Sequence, residues 1–239
     1  MTFMKPHVAV LMALLGVAAA RAQSGSARFL AKVDHLVYAT PNLESGIKTI
    51  EQLLGVRATP GGQHPGLGTR NALVSLGPST YLEIIGPDPD QSAPKGPRRF
   101  GIDRLKGPAL VGWVAKGVDL ERLVEVAHER GVMLGAVMPG SRKRPDGVEL
   151  TWRYTDPAVV IDHRIIPYFI DWGSSPHPAL SAAPGGKLIA LRAEHPEPER
   201  VGARLKRLGL DLPVAPGPKA ALVATLEGPQ GLVRLRGAE

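Results

Sequence analysis

The sequence predicts an α+β fold in which one supersecondary unit, a strand, then a helix, then further strands, is repeated in tandem. The same order of elements recurs three times, over about residues 32–88, 108–173 and 186–237. At each repeat the apolar residues switch from strand-like runs to a helical stripe, and glycine or proline punctuates the switch. Composition agrees with a globular chain: 44% of the 239 residues are apolar, and 28 glycines and 23 prolines stay below the level of low-complexity segments. A small sheet carrying one helix leaves its second face bare, so a copy is expected to bury that face by pairing with another copy.

The first copy opens with an apolar strand, Val33 to Ala39, that ends at Pro41 and Asn42. Leu43, Ile47, Ile50 and Leu54 then share one helical face, and Gly55 stops the helix. A short strand near Val56 to Ala58, the bend Pro60-Gly61-Gly62, a strand Asn71 to Leu76, a Gly77-Pro78 turn and a strand Tyr81 to Ile85 complete the unit. In the second copy the strand Leu110 to Val114 leads to a helix capped by Asp119 and stopped by Gly131. Strands are expected around Met133 to Met138, Val148 to Tyr154 and Arg164 to Trp172. The third copy has a strand Lys187 to Leu191, a helix near Glu197 to Leu208, and strands Ala220 to Leu226 and Gly231 to Leu235. Linkers rich in Pro, Gly and Ser separate the copies at residues 88–108 and 173–186.

Residues 1–22 read as a signal peptide: Lys5 is the basic start, Val8 to Ala20 is apolar, and Ala20-Arg21-Ala22 is a small-residue cleavage site. The apolar run is too short to cross a bilayer, which needs about 20 residues. Export to the periplasm or beyond is therefore expected, with no stable membrane insertion after cleavage. The absence of cysteine excludes disulfides, a thiol nucleophile, a zinc-cysteine site and a lipidated cysteine. A formal charge of +7 invites a nucleic-acid reading. However, the basic clusters (Arg98-Arg99, Arg142-Lys143-Arg144, Arg204 to Arg207) lack interleaved aromatic residues, so they read as solvated surface and no nucleic-acid partner is expected.

Two strands of the first copy each carry one side chain able to bind metal, His35 in Val33 to Tyr38 and Glu83 in Tyr81 to Ile85. A neutral imidazole suits Zn, Mn, Fe, Ni or Co, and a carboxylate adds a hard anionic oxygen. Either residue alone is explained by a hydrogen-bonded core histidine or by a Glu83–Arg70 pair. Their places at the two ends of one unit favour a shared site, because an unpartnered carboxylate on a buried strand face is costly. His64 lies in a glycine-rich loop able to fold over that site as a third ligand, an acid–base group or a substrate contact. His163, His177 and His195 read as surface histidines, and Trp113, Trp152 and Trp172 as core or pocket wall. No nucleophile elbow, phosphate loop, dinucleotide fingerprint or HExxH helix is present.

With its tandem βαβββ units, the chain resembles the vicinal oxygen chelate superfamily and its glyoxalase-like domains. Asp34-His35-Leu36-Val37, Gly61 to Gly66, Gly68-Thr69-Arg70-Asn71, Tyr81-Leu82-Glu83-Ile84 and Tyr168 to Gly173 carry the likeness. The resemblance implies two units whose sheets curl into a cup, with a divalent metal there binding two adjacent substrate oxygens. It implies His35 and Glu83 as metal ligands, Asp171 of the second unit as a further ligand, and Tyr38, Asn71, Tyr81 and Trp113 as pocket residues. Gly112 and Trp113 stand where the second unit would repeat His35, and Asp171 is one place out of phase with Glu83.

Two functions follow as expectations. One is a metal-dependent lyase, isomerase or dioxygenase acting on a small oxygen-bearing substrate, with His64 near that substrate. The other is a metal-free small-molecule binding protein on the same fold. Glutathione-linked chemistry is disfavoured for an exported protein, which would meet little of that cytosolic thiol. A third unit without a partner predicts a homodimer or a covering segment.

Overall fold

The structure, a computed structural model, describes residues 25–237, so the segment read as a signal peptide lies outside the described residues. Strand β1 (Val33–Ala39) is buried along its whole length, as its apolar run predicts. It leads into helix α1 (Leu43–Leu54). The Asn42 side chain accepts a hydrogen bond from the Ser45 amide at the helix start, and Gly55, at φ 74°, closes the end. Strands β2 (Thr59–His64), β3 (Thr69–Ser75) and β4 (Tyr81–Pro87) follow. The segment Pro60-Gly61-Gly62 is therefore strand with an irregular register, where the sequence predicts a bend.

In the second unit β5 (Ala109–Lys116), α2 (Leu120–Glu129), β6 (Val137–Lys143), β7 (Glu149–Thr155) and β8 (Tyr168–Asp171) repeat that order. The strand expected from Arg164 is shorter, because Asp162, His163 and Arg164 all take positive φ (45°, 54° and 66°) in a tight turn before it. The third unit holds β9 (Lys187–His195), α3 (Pro198–Arg207), β10 (Val214–Pro216), β11 (Ala221–Gly228) and β12 (Gly231–Arg236). The brief strand β10 carries too little apolar pattern to be read from the sequence.

The first two units join into one eight-stranded sheet of order β2-β3-β4-β1-β5-β8-β7-β6. Their opening strands run antiparallel at its centre, with Val37 opposite Gly112, and each is parallel to the closing strand of its own unit. The far edges curl toward each other until the buried guanidinium of Arg142 on β6 donates to the Gly61 carbonyl on β2. A nearly closed cup results, and the period of two along each strand decides which side chains enter it.

The third unit repeats the order of elements without repeating the topology. Its sheet runs β10-β9-β11-β12, so the opening strand β9 lies between the strand after its helix and β11. That sheet does not line the cup. Its inner face, with Leu191, Ala193, Leu222, Ala224 and Leu226, shares one apolar core with Leu36 of β1, Leu54 of α1 and Leu110 of β5. The bare face, for which a homodimer or a covering segment is expected, is thus covered within the chain. Among the described residues no helix is long and apolar enough to cross a membrane.

The closeness of β2 to β6 is set by Gly62, at φ 138°, where a Cβ would run into the Lys143 carbonyl. Gly66 also has a left-handed φ of 72° but has open space around its Cα. Gly62→Ala is expected to destabilise the protein by about 1–3 kcal/mol more than Gly66→Ala, which carries backbone strain alone. Urea unfolding midpoints of the two variants check this, and equal losses would mean that the two edges do not pack tightly.

Candidate functional site

Inward-facing side chains of the two units enclose a cavity of about 360 Å³. His35, His64, Asn71, Tyr81 and Glu83 form its polar wall, all from the first unit. The opposite wall is largely aromatic and comes from the second unit, with Trp152, Tyr154, Tyr168 and Trp172, joined by Phe100 from the linker. Arg99 and Arg142 also line the cavity.

His35 sits on β1 at an irregularity in its pairing with β5, between Val33 and His35. Such an irregularity can re-aim a side chain, and here adjacent Asp34 reaches the His35 ring, with Oδ1 2.7 Å from Nδ1. Asp34 is 1% exposed and also accepts from Trp172 Nε1 at 3.1 Å and His177 Nε2 at 3.1 Å. Burial raises its pKa, but the hydrogen bonds from His177 and His35 outweigh that effect and hold the carboxyl at about 2. An ionised Asp34 can only accept, so His35 Nδ1 carries the hydrogen and Nε2 faces the cup, where the neutral ring presents its lone pair. Nε2 stands 3.9 Å from Glu83 Oε2 and 3.4 Å from the Tyr168 hydroxyl, and Tyr81 stacks on the ring at 4.5 Å.

Asn71 fixes the other side of the site. Its Nδ2 donates to Glu83 Oε1 at 2.6 Å and lies 3.3 Å from His64 Nε2. An amide nitrogen only donates, so His64 Nε2 carries a lone pair and Nδ1–H donates to Thr69 Oγ1 at 3.0 Å. Burial pushes the His64 pKa down to about 4 against the pull of Glu83, and Arg142 and Arg99 lower it further. His64 is thus a neutral imidazole at neutral pH. Burial also raises the phenols of Tyr81 and Tyr168 well above their ordinary range, so both are neutral donors.

Five of the residues singled out in the sequence meet in the cup: His35, His64, Asn71, Tyr81 and Glu83. His64 arrives there at the end of strand β2 and not on a loop. Three others do not join them. Tyr38 alternates with Val37 and so turns into the core on the helix side of the sheet. Trp113 is 1% exposed in that same core, and its indole donates to the Ile165 carbonyl. Asp171 follows Ile170, whose side chain faces the cup, so Asp171 points away, lines a separate surface hollow and accepts from the Gly173 amide. Two histidines read as surface residues are also placed otherwise: His177 bonds the buried Asp34, and His195 is itself buried.

Residues 33–209 match the family described as the glyoxalase-like domain. The chain therefore belongs to that family and, with it, to the vicinal oxygen chelate superfamily. No curated protein matches it. Among solved structures it is similar to a hypothetical protein from Staphylococcus aureus, at 13% identity over 86% of this chain and 84% of that one, with a TM-score of 0.58. It is also similar to a methylmalonyl-CoA epimerase from Mycobacterium tuberculosis (18% identity, 58% of this chain, 85% of that chain, TM-score 0.39). A variant of 4-hydroxymandelate synthase from Streptomyces coelicolor gives 12% identity, 86% of this chain, 62% of that chain and a TM-score of 0.48.

The superfamily implies a divalent metal, and the donor set can be tested against one. His35 and His64 approach opposite oxygens of Glu83, at 3.9 and 3.7 Å. The two amide hydrogens of Asn71 already engage Glu83 Oε1 and the His64 lone pair. Among the described residues no group of three or more His, Cys, Asp or Glu forms a cluster that could hold a metal ion. As these side chains stand, they fit a hydrogen-bonded acid–base site and do not fit a three-ligand metal centre.

His64 also predicts how stability depends on pH. Its folded pKa of about 4 lies below the ordinary value of 6.5, so the unfolded chain binds more protons between the two. Stability should be full above about pH 6.5 and fall as pH drops toward 4, by up to about 3 kcal/mol. Urea unfolding at pH 7 and pH 5 checks this; a His64→Gln variant should lose much less across the same interval.

Proposed function

We propose that the cup is the active site of an enzyme that removes a proton from a small oxygen-bearing molecule, as the first step of lyase or isomerase chemistry. The observation that carries this reading is the placement of His35, its Nδ1 held by the Asp34 carboxylate so that Nε2 faces the cavity beside the Tyr168 hydroxyl. A base and a hydrogen-bond donor side by side are what loss of a proton next to a carbonyl requires. His35 Nε2 takes the proton while the Tyr168 hydroxyl donates to the oxygen on which charge develops. Asp34 stabilises the imidazolium without taking its proton, and Glu83 beside Nε2 adds to that stabilisation. The aromatic wall excludes water from the developing charge.

A metal-dependent enzyme, expected from the sequence, is supported by the type of donors, since two imidazole nitrogens and one carboxylate meet in the cup. It requires Asn71 to leave the position between His64 and Glu83. Elemental analysis of protein purified without chelator decides between the two: no stoichiometric metal supports the acid–base reading, and one metal ion per chain, lost in His35→Ala and Glu83→Ala, supports the other. Export remains part of the proposal, resting on the apolar start of the sequence.

Exchange of carbon-bound hydrogen with D2O, followed by proton NMR over a panel of small 2-oxo and 2-hydroxy acids, tests the chemistry. His35→Gln should slow exchange about 10²–10⁴-fold, the usual contribution of a general base. Asp34→Asn should slow it about 10–100-fold by loosening the ring. Exchange with no panel member, or exchange indifferent to His35, would leave a binding protein as the better account.

A further inference from the structure

Two arginines enter the cup without a carboxylate partner. Arg142 is 3% exposed, and one of its N–H groups donates to the Gly61 carbonyl. Arg99 donates to the Tyr154 hydroxyl at 2.9 Å, with its guanidinium 5.3 Å from the centre of that ring. Among the described residues neither forms an ion pair with Asp or Glu, whereas Arg98 pairs with Asp103 and Arg153 with Glu121. A buried guanidinium with no carboxylate in contact is costly, and Glu83, the one acidic side chain lining the cup, acts on Arg142 only through space. Both line the cup together with His64, on which their charges act through space.

We infer that the substrate is a carboxylate-headed molecule with a flat apolar tail, its anionic head held between Arg99 and Arg142. The inference rests on the cup being the active site proposed above and names the class of molecule it takes. Asp34 is engaged by its three N–H donors behind the wall, so among the side chains lining the cup two guanidiniums face the one carboxylate of Glu83; one further negative charge balances them, which suits a carboxylate better than a doubly charged phosphate. The tail is assigned by the opposite wall, where the rings of Trp152 and Trp172 lie 5.1 Å apart and Phe100 forms one side. Arg164 covers that side from behind, with its guanidinium 5.2 Å from the Phe100 ring centre. A cavity of about 360 Å³ is at the small end of ligand pockets and matches a single-ring acid.

Isothermal titration of the full protein with phenylacetate, phenylacetamide and phenyl phosphate tests the inference without needing turnover. Phenylacetate is expected to bind at least tenfold more tightly than the neutral amide, and more tightly than phenyl phosphate. Arg99→Gln, at a partly exposed position, should remove most of the preference for the acid over the amide. Arg142→Lys should weaken the acid as well; because Arg142 also closes the cup, its unfolding midpoint is measured alongside, and Arg99→Gln carries the test if that variant unfolds. Equal binding of acid and amide, no binding of either, or a preference unchanged in Arg99→Gln would overturn the inference. His35→Gln separates it from the proposed chemistry: it should keep phenylacetate binding while losing proton exchange, so each claim can fail alone.

Discussion

The site depends on one buried charge. Asp34 remains ionised at 1% exposure because three N–H donors converge on it, from His35, Trp172 and His177. They come from β1, from the end of β8 and from the linker to the third unit, so one carboxylate ties together segments far apart in the sequence. Removing any one donor leaves the charge less compensated, at a cost of about 1–3 kcal/mol or more. The same contacts fix which nitrogen of His35 faces the cavity, so packing and chemistry share a single set of hydrogen bonds.

Around this anchor the two paired units have diverged in chemistry while keeping their topology. The first supplies imidazoles, an amide and a carboxylate, and the second supplies rings and Arg142. Where β1 offers His35, β5 offers Gly112 and Val114, so the second unit does not repeat the first unit's donor. The cup thus has a polar wall facing an aromatic one, an arrangement suited to a ligand with a charged head and an apolar tail. The third unit takes no part in the cup, and its sheet instead buries the outer side of α1 and β1.

Much of this was legible in the sequence, for reasons that can be traced to residues. The stripe Leu43-Ile47-Ile50-Leu54 and the stop at Gly55 appear as helix α1, and the runs around His35 and Glu83 appear as neighbouring strands. What the sequence could not show was which face of each strand turns into the cup. The basic cluster Arg142-Lys143-Arg144 reads as solvated, yet the pleat of β6 turns Arg142 inward with Met138 and Gly140. Asp171 fails as a ligand for the same reason, since Tyr168, Ile170 and Trp172 take the inward places. A clue was present in its offset of one position from Glu83. The role of Asp34 depends on a register irregularity, and that of His177 on long-range contact, so neither had a local signal. In the third unit the order of elements is as read from the sequence, but element order does not fix strand order.

The most direct test of this account is the tautomer of His35, observed by nitrogen-15 NMR of histidine-labelled protein at neutral pH. The account predicts a hydrogen on Nδ1 and a bare lone pair on Nε2, with Asp34→Asn disturbing that state. A hydrogen on Nε2 in the parent protein would contradict it, because the cavity would then face a donor in place of the base.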